Sequence, residues 1–308
     1  MSEQSRTITI IGSGIMGTGM AINLLKKNHS VRLFTRKKKS WDQFSQEQKD
    51  LLNSTFCSQH LNLKDALEGS ELVILCLTED EVVEELFFAE DFLKASPKWI
   101  VDTGTTSPEL TLKMWNSCKD RNILFLDSPM TGSKLAAESG QILFMVGGDP
   151  TQIQELKYFF DTCGKKTIHC GAVSSGQRAK IALNMIQAGL FQVYTEGFLL
   201  AEKDGIDSNT FMEIMENSAG ASPLLSFKMR SVLNQNYSAH FALKNMNKDL
   251  NHAMRRAREL KVVLPVATQL KPIYEAGLLA GFGEEDFCSL AKVNRLWNTK
   301  SFYKTEIS

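Results

Sequence analysis

The chain has 308 residues, with 35 Lys plus Arg set against 35 Asp plus Glu and a hydrophobic fraction of 43%. That length exceeds what one hydrophobic core usually serves, so two domains are expected. The zero net charge gives no electrostatic case for nucleic acid or a membrane surface as partner. No apolar run is long enough to span a bilayer, and the polar start Met1-Ser2-Glu3-Gln4-Ser5-Arg6 has no signal-peptide core, so a cytoplasmic location is expected. Cys57, Cys76, Cys118, Cys163, Cys170 and Cys288 are scattered without a CxxC, and the five histidines show no ligand spacing. Reduced cysteines and no metal follow as expectations.

The first half alternates short β-rich runs with amphipathic stretches. Strands are predicted at 7–11, 31–34, 71–77, 99–102, 123–126 and 142–146, with helices at 16–27, 81–88 and 108–119. A helix at 151–161 and a short strand at 167–169 follow. This alternation predicts a mostly parallel sheet with helices on both faces. After Gly171 the pattern changes. Residues 175–203 contain no proline and carry apolar residues at helical spacing, among them Ile181, Ile186, Leu190, Val193 and Phe198. Unbroken, that helix would be roughly 45 Å long at about 1.5 Å per residue. Further helices are predicted at 208–217, 245–260 and 266–276, and no strand. The expected division is a nucleotide-binding α/β domain at 1–172 and an all-helical domain at 173–308.

Gly12-Ser13-Gly14-Ile15-Met16-Gly17 is a G-x-G-x-x-G that follows a strand and opens a helix. In that context it predicts a dinucleotide pyrophosphate held on the helix N-terminus. The end of the second strand then selects the cofactor. An acidic residue there would bond a ribose hydroxyl and repel a 2′-phosphate. The chain instead reads Phe34-Thr35-Arg36-Lys37-Lys38-Lys39-Ser40. Arg36 offers a planar fork to a phosphate and Thr35 a hydroxyl, so NADP is expected over NAD.

The continuation Met20-Ala21-Ile22-Asn23-Leu24-Leu25-Lys26-Lys27 resembles the β-hydroxyacid dehydrogenase family, which includes 3-hydroxyisobutyrate dehydrogenases and glyoxylate/succinic semialdehyde reductases. Three further segments resemble it in the same order. Asp127-Ser128-Pro129-Met130-Thr131-Gly132-Ser133 looks like the substrate-binding loop. Gly176-Gln177-Arg178-Ala179-Lys180-Ile181-Ala182-Leu183-Asn184 looks like the catalytic segment, and Lys248-Asp249-Leu250 like a late cofactor- and substrate-contacting motif. The resemblance implies a Rossmann domain followed by a helical domain that builds a dimer interface. Departures are present. Thr131 stands where the family often has Ser, and Asp102-Thr103-Gly104-Thr105-Thr106 matches a loop that usually reads Asp-x-Ser-Thr. Leu77-Thr78-Glu79-Asp80 lacks a Pro that many members carry nearby.

Carbonyl reduction by hydride needs a proton for the developing alkoxide and positive charge near the oxygen. A lysine supplies both, and the resemblance assigns that role to Lys180. In the oxidative direction its pKa must fall, which burial, Lys248 and a positive nicotinamide ring would favour. Asn184, four residues on, shares a helix face with Lys180 and can orient it or bond the substrate. The loop Thr131, Gly132 and Ser133 offers hydroxyls and amides to a substrate carboxylate. The resemblance further places Leu77, Thr78, Thr105 and Lys248 against the cofactor and Phe241 and Asp249 beside the substrate. It implies a homodimer or homotetramer acting on a short carboxylate-bearing aldehyde or hydroxy acid. The rivals are an imine reductase of similar build, a scaffold that binds NADP without catalysis, and 6-phosphogluconate dehydrogenase. Lys180 argues against the first, and its retention with Asn184 and the 131–133 loop against the second. The third needs a longer helical domain.

Overall fold

The computed structural model describes residues 5–298, apart from the side chain of Leu93. Residues 1–4 of the polar start, and 299–308 of the predicted helical domain, lie outside that range. The chain divides into two compact units, with the cut after Lys180.

The first unit begins β1 (Thr7–Ile11), α1 (Ile15–Lys26), β2 (Ser30–Phe34), α2 (Gln46–Leu52), β3 (Cys57–His60) and α3 (Leu63–Leu67). Next come β4 (Leu72–Leu75), α4 (Asp80–Phe87), α5 (Glu90–Ala95), β5 (Trp99–Asp102), α6 (Pro108–Lys119) and β6 (Leu124–Asp127). It closes with β7 (Met130–Thr131), α7 (Lys134–Glu138), β8 (Ile142–Gly147), α8 (Pro150–Glu155), α9 (Lys157–Cys163), β9 (Gly164–Gly171) and the start of α10 (Ser175–Lys203). The sheet order is β3-β2-β1-β4-β5-β6-β8-β7, with β9 on β8. The strands from β3 through β6 are parallel. β8 runs antiparallel to β6 and β7, and β9 parallel to β8. This is the doubly wound Rossmann order, with its switch point between β1 and β4.

Strand alternation builds two cores from one sheet, because successive side chains face opposite sides. Ile8, Ile10, Leu72, Ile74, Trp99 and Val101 point to one face, where Met20 and Leu24 of α1 and Phe159 of α9 cover them. Ile11, Val73, Leu75 and Ile100 point to the other, under Val83 and Phe87 of α4 and Met114 of α6. Both faces are therefore apolar, which is why β4 reads Leu-Val-Ile-Leu without a polar residue.

The second unit holds the rest of α10, then α11 (Ser208–Glu216), α12 (Pro223–Leu233), α13 (Leu243–Leu260), α14 (Pro265–Leu279), a 3₁₀ turn at Phe287–Ser289 and α15 (Leu290–Trp297). Its core gathers Phe191, Leu225, Met229, Leu243, Met246, Leu250, Tyr274 and Phe287. Gln192 and Asn294 exchange amide hydrogen bonds of 2.9 and 3.2 Å, fastening α10 to α15. Among the described residues no helix is long and apolar enough to cross a membrane, and no cluster of His, Cys, Asp and Glu would hold a metal ion. All six cysteines are free.

One charged pair lies inside this unit. Lys228 Nζ donates 2.7 Å bonds to both carboxylate oxygens of Asp286, and the side chains are only 6% and 2% exposed. Asp286 also accepts from the amides of His240, Phe241 and Cys288. Burial pushes its carboxyl up, but the Lys228 charge and these donors outweigh that and hold it below the usual range. Removing one partner would strand the other in an apolar setting. Lys228→Ala is expected to cost about 3–5 kcal/mol of stability, measured by urea unfolding. A loss below about 1 kcal/mol would show that the backbone donors alone satisfy Asp286.

Candidate active site

The parallel strands end in register. Phe34 pairs with Ile11, Ile11 with Leu75, Leu75 with Asp102, and Asp102 with Asp127. The segments that leave this row carry Thr35 and Arg36, the glycine loop, Leu77 and Thr78, Thr105, and the 131–133 loop. The first unit thus gathers most of the predicted cofactor and substrate residues along one carboxyl edge, where doubly wound sheets bind ligands.

At the first turn, Gly12 adopts φ +109°, and a Cβ there would sit 2.2 Å from the Cys76 carbonyl. A Cβ on Gly17 would meet the Gly12 carbonyl at 2.0 Å, so no side chain fits. A Cβ on Gly14 would touch nothing. Gly14 is also the N-cap of α1, which has no side-chain cap and no acidic residue in its first turn. Open space at Gly14 and a helix start without a side-chain cap or an acidic residue fit a pyrophosphate, which the helix dipole favours. Ser13 is buried, while Ile15 is exposed on the opening turn.

After β2, Thr35 is buried and its hydroxyl donates to the Lys37 carbonyl at 2.7 Å, bracing the turn. Arg36 is exposed. Lys39 folds back so that its ammonium donates to the Ser13 carbonyl in the glycine loop. Partial burial holds its pKa below the ordinary lysine range. The sequence shows three consecutive lysines, and nothing in their order marks the third as the one that returns to the loop.

The loop after β5 and the first turn of α10 share a buried polar network. Gln177 Nε2 donates to Asp102 Oδ2 at 3.2 Å and to the Gly104 carbonyl at 3.0 Å, and its Oε1 accepts from the Thr106 amide at 3.0 Å. Asp127 accepts from the amides of Ser174 and Gln177 at 2.6 and 2.9 Å. Asp102, Asp127 and Gln177 are each 0% exposed. Burial raises the Asp102 carboxyl to about 7 and that of Asp127 to about 6, against the pull of their hydrogen bonds. Lys180, one turn along, is buried at 7% exposure. Sequence reasoning did not single out Asp102 or Gln177 for a role. At the substrate loop, Thr131 is half-buried in β7, and the Ser133 oxygen caps α7 by accepting from the Ala136 amide at 3.2 Å.

The second unit brings three predicted residues together. Asn184 Nδ2 donates to Asp249 Oδ2 at 2.6 Å, and Lys248 Nζ lies 3.4 Å from Asp249 Oδ1. Asn184 and Asp249 are buried, while Lys248 is partly exposed. Phe241 is half-buried and packs edge-on against Phe287, 6.4 Å between ring centroids.

Residues 7–171 match the family described as the NAD binding domain of 6-phosphogluconate dehydrogenase. Residues 174–294 match the NAD-binding domain of NADP-dependent 3-hydroxyisobutyrate dehydrogenase. Glyoxylate/succinic semialdehyde reductase 2, chloroplastic, of Arabidopsis thaliana is 29% identical over 92% of this chain and 78% of its own length. The NAD-dependent L-serine dehydrogenase of Pseudomonas aeruginosa is 28% identical over 94% of this chain and 97% of its own. The structure of Mycobacterium tuberculosis 3-hydroxyisobutyrate dehydrogenase with L-serine superposes with a TM-score of 0.79 at 26% identity, covering 95% of this chain and all of that one. The chain belongs to the β-hydroxyacid dehydrogenase family. It is an NAD(P)-dependent oxidoreductase of small hydroxy acids or semialdehydes.

Within this β-hydroxyacid dehydrogenase, the Gly104 departure has a local cause. A Cβ there would lie 2.3 Å from the Leu77 carbonyl, so the serine usual at this point of the loop has no room unless Leu77 moves. The Asp102 environment also has a measurable consequence. Its folded-state pKa, about 7, lies above the unfolded value near 3.9, so it favours the folded state fully only below that lower value. Between about pH 4 and pH 7 the unfolded chain ionises first and stability is lost. Asp102→Asn removes this titration. Its melting temperature is expected to gain on that of the unmodified enzyme as pH rises through that window. A constant difference would mean that Asp102 titrates normally.

Proposed function

We propose that this enzyme is an NADP-dependent reductase of short aldehydes that carry a carboxylate, with succinic semialdehyde and glyoxylate as the leading substrates. The observation that carries the reading is the basic turn after β2. It holds no carboxylate, presents Arg36 outward and returns Lys39 to the glycine loop. Arg36 takes the 2′-phosphate through its planar fork, with Thr35 in the braced turn beside it. Gly12 to Gly17 hold the pyrophosphate. Leu77, Thr78, Thr105 and Lys248 border the rest of the cofactor.

Bound NADPH supplies the hydride. Lys180 supplies the proton to the carbonyl oxygen, and its charge stabilises the alkoxide as it forms. Thr131, Gly132 and Ser133 anchor the substrate carboxylate with hydroxyls and amides. Lys180 then serves the reacting end. Asn184 bonds the substrate or steadies the proton donor, Phe241 limits substrate length, and Asp249 holds Lys248 and Asn184. The predicted nucleotide domain, 1–172, also carries the carboxylate loop, and the predicted substrate and dimerisation domain, 173–308, adds Lys248 to the cofactor side, in a cytoplasmic enzyme. Ile186, Leu190 and Val193 on α10 are exposed, as are Val262 and Val263 just before α14 and Val266 in its first turn. An apolar face of this extent suits a twofold homodimer, alone or within a tetramer.

Cofactor choice is tested by Arg36→Asp, which is expected to raise the KM for NADPH more than that for NADH. Equal use of both by the unmodified enzyme would refute the assignment. The substrate reading is tested with succinic semialdehyde, glyoxylate and an uncharged aldehyde of similar size. The acids are expected to be reduced at least about tenfold more efficiently, one charge-assisted contact's worth. In the same assay Lys180→Ala should lose at least about 10²-fold in turnover while still binding NADPH. Near-normal turnover in that variant would assign the proton to another group. Light scattering at micromolar concentration should find a dimer or larger, and a monomer alone would contradict the assembly.

A further inference from the structure

We infer that Gln177 is a positioning residue for Lys180. Held by Asp102 and Asp127, it would set where the lysine stands relative to the loop that carries Thr105. This inference rests on the reading of Lys180 as the proton donor.

The geometry is specific. Gln177 lies three residues before Lys180 on α10, so the two are neighbours on consecutive turns. Its backbone amide is pinned by Asp127, and its side chain uses both amide ends. Nε2 donates to Asp102 and to the Gly104 carbonyl, while Oε1 accepts from the Thr106 amide. The partners Gly104 and Thr106 flank Thr105. One fully buried side chain therefore spans from the cofactor-side loop to the helix turn that carries the proton donor. Gly176 permits this approach, because a Cβ there would lie 2.3 Å from the Met145 carbonyl and 2.9 Å from Asp127 Oδ2. A hydrophobic residue of the same length would fill the space without fixing the distance. Small misplacements of a reacting group cost orders of magnitude in rate, so the tether acts on turnover rather than on affinity for the nucleotide.

Two variants test this, each beside Lys180→Ala. Gln177→Met keeps the volume and removes all three side-chain hydrogen bonds. It is expected to lower kcat at least about tenfold, with NADPH binding, followed by fluorescence titration, changed less than about threefold. A kcat within about threefold of the unmodified enzyme would overturn the inference. Gln177→Glu carries the test if the methionine variant does not fold. Ionised, that carboxylate would face Asp102, with Asp127 and Asp80 nearby. Protonated, it restores one donor and one acceptor. Its kcat, divided by that of the unmodified enzyme at the same pH, is expected to rise several-fold between about pH 8 and pH 6. A flat ratio would overturn the inference, since a purely structural filler has no reason to recover catalysis on protonation. The two readings fail separately. Full turnover in Lys180→Ala refutes the proton donor. An inactive Lys180→Ala beside a normal Gln177→Met refutes only the tether.

Discussion

Asp127 is a carboxylate with no access to water, and the first turn of the longest helix is built on it. Burying such a group is costly unless donors replace the lost hydration. The amides of Ser174 and Gln177 do so, and both belong to the opening of a 29-residue helix. Those amides lack intrahelical partners, so carboxylate and helix end each satisfy what the other leaves open. Space had to be cleared for this. A Cβ on Gly147 would sit 2.4 Å from Asp127 Oδ1, and one on Gly176 would crowd Oδ2. The start of α10 is therefore referenced to the end of β6. Because β6 is in register with β5, it is referenced to Asp102 as well. Lys180 inherits its place from this chain of contacts.

The same dependence explains why the first unit gathers its functional groups without one contiguous motif. Each parallel strand delivers a loop to the same edge, and the register fixes their spacing. The glycine loop also needs its own local geometry, since Gly12 sits where a side chain would strike the Cys76 carbonyl. Elsewhere the sheet does the placing, and loop residues such as Thr35 or Ser133 use their oxygens to hold the loop itself.

Much of this was legible in the sequence. Apolar runs gave β1, β4 and β5, and Ser107-Pro108 marks the start of α6 through its cap and fixed φ. The helix 175–203 matched end to end. What escaped did so for several physical reasons. Cys57-Ser58-Gln59-His60 forms β3 because it can pair at the sheet edge beside β2, although its residues are mostly polar. β7 is two residues long, below any period. The single helix expected at 151–161 is two, joined at Leu156, whose buried side chain packs into the core while its φ/ψ leaves the helical region. α12 and α15 are short amphipathic segments whose apolar faces gain meaning only against the second core. For the candidate site, motif and resemblance singled out the glycine loop and Lys180. Lys39 and Gln177 were not, because their roles arise from contacts across 26 and more than 70 positions of chain.

Cofactor choice and chemistry are separable in such a design. Relatives named as a semialdehyde reductase and as an NAD-dependent serine dehydrogenase align with this chain over nearly its whole length. Under the proposed function, nicotinamide preference resides in the few residues after β2, so changing it need not disturb the fold. There the balance is electrostatic. A carboxylate would repel a phosphate at close range, whereas an arginine fork attracts it and keeps its charge at any physiological pH. Lys39 adds a second cation, but one that already satisfies a carbonyl and carries some desolvation cost. An incoming anion would have to compete with Ser13 for that ammonium. Arg36, by contrast, is exposed. Under the proposed NADP reading the discriminating charge is that of exposed Arg36, while Lys39 also ties the turn to the glycine loop.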